Sequence, residues 1–90
     1  MVMRIWAKLF ENNHMLRDTV ITNEDPSMTR TKKVFAALEE VCMTFDLSVP
    51  LWLDVNIADF KRTAKTRFRQ DSFVDHIDFD FLEFQVIEED

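Results

Sequence analysis

The sequence predicts a small α+β domain, a mostly antiparallel sheet in the order β-β-α-(β)-α-β with two helices packed on one face. Three observations predict it. Residues 2–10 and 14–22 alternate in side-chain character on either side of Asn12-Asn13. Residues 34–45 repeat apolar side chains at the helical period, and residues 79–87 return to alternation. A period of two returns side chains to one face of a strand, and spacings of three, four and seven return them to one face of a helix.

In residues 2–10, Met3, Ile5, Ala7 and Leu9 share one face, and Arg4, Trp6, Lys8 and Phe10 share the other. Glu11-Asn12-Asn13 is a turn signal, because Asn tolerates the left-handed backbone that tight hairpins require. HMLRDTVIT over 14–22 then completes a β-hairpin. NEDPSM over 23–28 is a loop in which Asp25-Pro26 reads as a cap followed by proline at the first helical position, with Thr29 as the alternative cap. Val34, Phe35, Leu38, Val41, Cys42 and Phe45 form one wide apolar stripe, while Glu39 and Glu40 face away. Pro50 ends this helix through its effect on Val49.

Leu51-Trp52-Leu53 is a short apolar run, a brief strand or a buried connection, and supplies the bracketed strand of the order. Asp54 and Asn56 are cap candidates for a second helix. Its stripe is Ile57, Phe60, Ala64 and Phe68, with Lys61, Arg62, Lys65, Arg67 and Arg69 over its remaining surface. Residues 70–77 suit a further helical turn. FDFLEFQVI over 79–87 is the last strand, with Leu82, Phe84 and Val86 on one face and Phe81, Glu83, Gln85 and Ile87 on the other. Apolar residues on both faces suggest an interior strand.

Ninety residues make one domain, here 1–90. An apolar fraction of 47%, with nine Phe and two Trp, supplies one core and argues against disorder. One cysteine, Cys42, rules out an internal disulfide and favours a reducing compartment. Arg4 and Lys8 interrupt the apolar N-terminal stretch, so it reads as neither leader nor membrane span, and the cytoplasm is the expected location. Glycine is absent. Gly-rich phosphate loops, dinucleotide fingerprints and G-x-S-x-G nucleophile elbows are thereby excluded.

The net charge of −6 argues against general adhesion to nucleic acid or anionic membrane. The charge is also divided. Residues 71–90 carry eight acidic and no basic side chains, and all 11 basic residues precede them. The two halves either pair within the fold or present a two-signed surface.

Three constellations could carry chemistry. The first is the outer sheet face, with Arg4, Trp6, Lys8 and Phe10 beside Phe81, Glu83, Gln85 and Ile87, of which Arg4, Trp6, Lys8, Phe10, Phe81 and Ile87 are the expected contacts. If both helices cover the opposite face, these aromatics are exposed, and an exposed aromatic patch with mixed charge suits a protein partner. The bland alternative is that connecting segments such as Leu51-Trp52-Leu53 cover it. The second is a basic helix over 61–69, whose Lys61, Arg62, Lys65, Arg67 and Arg69 could hold a phosphate backbone. At helical spacing Phe60 and Phe68 would be buried and unable to stack on bases. The third is Asp75-His76 with Asp78 and Asp80, a set of types suited to a divalent cation or to acid–base chemistry. The Asp/Phe alternation is better explained by a half-buried strand.

Cys42 on the core stripe reads as an inert buried thiol, and His14 as a surface residue. Arg30, Lys32 and Lys33 sit near the start of the first helix, where the macrodipole disfavours cations. That conflict could mark a site for an anion or an acidic partner.

The reading that follows is a cytoplasmic interaction module that binds a protein partner or itself, as a homodimer, through the aromatic sheet face. Nucleic-acid binding through the basic helix is the alternative, and a metal-dependent enzyme using the Asp75–Asp80 cluster comes last. No catalytic set, metal site or cofactor is expected.

Overall fold

A two-residue hairpin turn with both residues left-handed matches the twist of the strands it joins. Asn12 and Asn13 adopt that conformation, with φ of 52° and 66°. They connect β1 (Met3–Glu11) to β2 (His14–Asn23), as the alternation predicts. The structure, a computed structural model, describes residues 2–89. After the hairpin come α1 (Arg30–Phe45), α2 (Asp54–Thr63), β3 (Lys65–Phe68), a turn of 3-10 helix over Gln70–Ser72, and β4 (Phe81–Glu89). The four strands form one antiparallel sheet in the spatial order β2-β1-β4-β3. The α+β class, the hairpin and the two helices are as expected, and the element order is β-β-α-α-β-β.

Of the two caps open for α1, Thr29 is used, its Oγ1 accepting the Lys32 N–H at 3.2 Å. Asp25 instead closes a local turn, accepting both the N–H and the O–H of Ser27. These bonds hold its carboxyl below the ordinary carboxylate range. At the far end Asp46 turns left-handed, and the Leu47 N–H returns to the Cys42 carbonyl at 2.8 Å.

The second helix is shorter than its pattern suggests. Ala64 takes φ 56°, which ends the helix, and its N–H still reaches the Phe60 carbonyl at 2.8 Å. The Ala64 carbonyl is captured by the Val86 N–H at 2.9 Å, so the chain joins the sheet instead of continuing as helix. Residues 65–68 therefore form a strand, with Lys65 opposite Gln85 and Phe68 opposite Leu82. Leu51-Trp52-Leu53 is a connection and not a strand. Its Leu51 N–H bonds the Ser72 carbonyl at 2.7 Å. The Trp52 ring packs edge-on against Phe35, Phe60, Phe68 and Phe84.

The core lies between the sheet and both helices. Ile5 and Ala7 from β1, Leu82 and Phe84 from β4 and Phe68 from β3 meet Leu38, Val41 and Cys42 of α1 and Phe60 of α2. Burial among these apolar groups pushes the Cys42 thiol up to about 11, which keeps it protonated and unreactive at neutral pH. Phe35 and Ile57, both assigned to core stripes by spacing, remain 49% and 40% exposed at the margin where α1 and α2 diverge.

One buried polar residue organises the second half of the fold. Asn56 is 2% exposed. Its Oδ1 accepts the Leu53 N–H at 3.0 Å and the Ser72 hydroxyl at 3.2 Å. Its Nδ2 donates to Thr66 Oγ1 at 2.9 Å and to the Arg67 carbonyl at 3.1 Å. The start of α2, strand β3 and the 3-10 turn are thus tied to one side chain. Among the described residues no helix is long and apolar enough to cross a membrane.

Candidate functional site

Alternation along β1 sends Met3, Ile5, Ala7 and Leu9 into the core and leaves Arg4, Trp6, Lys8 and Phe10 on the opposite face. Neither helix packs there. The cross-strand neighbours on that face are Val20 opposite Trp6 and Asp18 opposite Lys8 on β2, and Gln85, Glu83 and Phe81 opposite Trp6, Lys8 and Phe10 on β4. Beyond β4, Lys65 and Arg67 of β3 lie opposite Gln85 and Glu83.

Glu83 sits at the centre and is only 5% exposed. Lys8 Nζ lies 2.9 Å from its carboxylate, Arg67 Nε 3.2 Å and Lys65 Nζ 4.0 Å. Burial works to raise the Glu83 carboxyl. The hydrogen bonds from Lys8 and Arg67, with the charges of Lys8 and Lys65, outweigh it and hold the group below the ordinary glutamate range. The cations also cover the rings. Lys8 Nζ is 3.7 Å from the Trp6 ring centroid, and the guanidinium groups of Arg67 and Arg69 are 4.6 Å and 5.0 Å from that of Phe81. Phe81 stacks on Phe10 with centroids 5.2 Å apart, and the Trp6 indole donates to Asp18 at 2.9 Å. At the rim Arg4 pairs with Glu88 at 3.4 Å.

Five cations (Arg4, Lys8, Lys65, Arg67 and Arg69) thus share this face with three carboxylates (Asp18, Glu83 and Glu88). Counted over these residues the cations exceed the carboxylates by two, on a chain of net charge −6, and Asp59 and Asp71 stand with Lys65, Arg67 and Arg69 at the β3 edge of the face.

Several expectations change. Trp6, Phe10 and Phe81 are half-buried rather than exposed, because neighbouring cations and one another cover them. Ile87 falls in a β-bulge. Ile5 pairs with Val86 and Arg4 with Glu88, which leaves Ile87 without a β1 partner and outside the aromatic cluster. Trp52 does not cover this face, since its ring packs on the helix side.

The basic helix over 61–69 does not exist as such. Lys61 and Arg62 end α2, where Arg62 pairs with Asp59 at 3.1 Å. Lys65 and Arg67 lie on β3, and Arg69 follows it. The last three join Trp6 and Phe81, so the two surfaces read separately in the sequence are largely one. The acidic C-terminal stretch does pair internally, Glu83 with Lys8 and Arg67, Glu88 with Arg4 and Glu89 with Arg30.

The Asp75–Asp80 cluster disperses. His76 and Asp78 stand in solvent 3.4 Å apart, while Asp80 turns to the hairpin and accepts the Asn12 N–H at 2.8 Å. Among the described residues no three His, Cys, Asp or Glu side chains come together as metal ligands would.

Gln85 takes the place on this face that alternation gives it, opposite Trp6, whereas Asp18 was not foreseen as a member of the site. The signal for a charged network was Glu83 within the apolar run FLEFQ, because a carboxylate on an interior strand requires cations on its neighbours.

The stabilisation carried by Glu83 has a definite pH dependence. Its folded value is lowered, so its contribution is present above the unfolded glutamate value of about 4.3 and is lost as pH falls through the folded value. Urea midpoints of the parent protein and Glu83→Gln, measured from neutral to acid pH, are expected to differ at neutrality and to converge below about pH 4. A gap that stays constant would show that Glu83 titrates alike in both states.

The fold and this face define an α+β domain with one uncovered, cation-rich antiparallel sheet surface. No protein-family model, curated protein or solved structure matches the chain.

Proposed function

We propose that the protein is a binding module whose contact surface is the open sheet face, and that its partner is another protein presenting an acidic segment. The observation that supports this reading is the excess of cations over carboxylates on a face that neither helix covers, with Trp6, Phe10 and Phe81 half-buried beneath them. Arg and Trp residues of this kind dominate the energetics of protein interfaces. Self-association through this face is less favoured, because a two-fold interface sets a patch against its own image and would oppose like charges. A cytoplasmic location suits a chain whose single cysteine is free and buried.

Nucleic-acid binding is the second reading, supported by the convergence of Lys65, Arg67 and Arg69 beside Phe81. It ranks lower because Phe81 already stacks on Phe10 and carries two guanidinium groups, so a base would have to displace them. A carboxylate needs only their outer N–H groups.

The test is photo-crosslinking in cell extract from two positions of the intact protein. Val20 is exposed on the sheet face opposite Trp6, and Glu39 is exposed on α1. A crosslinker at 20 should give protein adducts that survive nuclease, fall with added poly-glutamate and are absent at 39. Adducts removed by nuclease would favour the second reading. Adducts equal at both positions, or none, would overturn the proposal.

A further inference from the structure

On the far side of the sheet from the open face, α1 and α2 diverge around a groove of about 300 Å³. Phe35, Trp52, Ile57 and Phe60 line its apolar part, and Arg30 and Lys61 stand among the residues that line it. Among the described residues no carboxylate lines it, although acids outnumber bases in the chain 17 to 11. The first turn of α1, which supplies Arg30 and Thr31 to the groove, also holds no acid. The positive end of the helix therefore adds to the two cations.

Phe35 and Ile57 are the two stripe residues that the fold leaves 49% and 40% exposed, and both lie here. Arg30 shares its charge with Glu89. Lys61 is exposed at the end of α2. Trp52 Nε1 is the one buried side-chain polar atom among the described residues that lacks a hydrogen-bond partner. Cations placed near a helix start are unfavourable for the free protein and favourable for an anion that binds there.

We infer that this groove binds a small amphipathic carboxylate, a single short apolar chain bearing one acid group. The chain lies on Phe35, Trp52 and Ile57, and the carboxylate meets Lys61 and Arg30, whose guanidinium lies 5.7 Å from the centroid of the Phe60 ring. A volume near 300 Å³ is at the small end of ligand pockets and suits one short chain better than a peptide helix. The inference goes beyond the proposed function and does not rest on it, since the two surfaces lie on opposite sides of the sheet.

The experiment uses Trp6→Phe, which leaves Trp52 as the only tryptophan. Its fluorescence is titrated with octanoate, decanoate and decanol below their micellar or solubility limits. Decanoate should give a saturable change, and affinity should rise about fourfold for each methylene added from octanoate. Lys61→Gln, at an exposed position that should leave the circular dichroism spectrum unchanged, should weaken decanoate about three- to fivefold and leave decanol unaffected. Phe35→Glu places a carboxylate in the groove and should abolish binding of both acids. The absence of a saturable change would overturn the inference, as would decanol binding as tightly as decanoate or decanoate binding equally to the parent and Lys61→Gln.

Discussion

Replacing Phe84 with alanine should lower stability by about 3–5 kcal/mol, a large share of the roughly 5–13 kcal/mol that a domain of this size holds. Phe84 is fully buried in β4, opposite Ala7 of β1 and Thr66 of β3. Its ring lies 6.0 Å from that of Phe60 and 6.2 Å from those of Phe68 and Trp52. These neighbours come from α2, β3 and the 51–53 connection, so no single movement closes the space that alanine leaves. Urea titration followed by circular dichroism gives the measurement. Phe35→Ala, at a half-exposed ring of the same type, should cost less than about 1 kcal/mol. A Phe84→Ala protein that loses no more than the Phe35 variant would show that the core is not centred on this ring.

Asn56→Ala should lower stability by about 2–4 kcal/mol and the melting temperature by more than about 10 °C. The substitution removes two acceptor and two donor bonds of a buried amide. Four partners are left to find new ones, and two of them, the Leu53 N–H and the Arg67 carbonyl, are backbone groups that rarely go unpaired when buried. Asn56→Asp separates the roles. It keeps both acceptor bonds but sets a carboxylate oxygen against the Arg67 carbonyl, so it should cost nearly as much as alanine. If the aspartate variant melts with the parent, the donor bonds to β3 contribute little.

Much of this fold was legible because local chemistry and tertiary structure agree. Asn12-Asn13 supplies two left-handed residues between alternating segments, so the turn was readable, whereas the bulge that shifts the β1-β2 pairing by one residue between Leu9 and Phe10 was not. The stripe from Val34 to Phe45 has one wide face and, Phe35 apart, becomes the buried side of one helix. Strand β3 was not legible. Phe60, Ala64 and Phe68 recur at helical spacing, while Thr66 and Phe68 share a face in a strand, and four residues are too few to decide between periods. What ends α2 is an alanine in left-handed backbone, a residue type that carries no stop signal, held there by a bond to Val86.

The site inherited the same division. The Trp6 face was readable from alternation in β1 alone. That Lys65, Arg67 and Arg69 converge on it depended on the strand the sequence concealed. The bulge that removes Ile87 depends on how β4 meets β1, a pairing across most of the chain.

The placement of β1 between β2 and β4 also sets an order of events during folding. The β1-β2 hairpin joins neighbours in sequence and can close within about 1–10 μs. The other edge of β1 must wait for β4, whose Gln85 lies 77 residues from Lys8, and only then do β3 and the Glu83 network have a strand to join. Until that encounter the hairpin presents an unpaired edge and Trp6 without its β4 neighbours, a state prone to capture by other chains. The slow step in assembling this protein is therefore expected to be the search of its last strand for its first, and conditions that delay that meeting should raise aggregation without changing the stability of the finished fold.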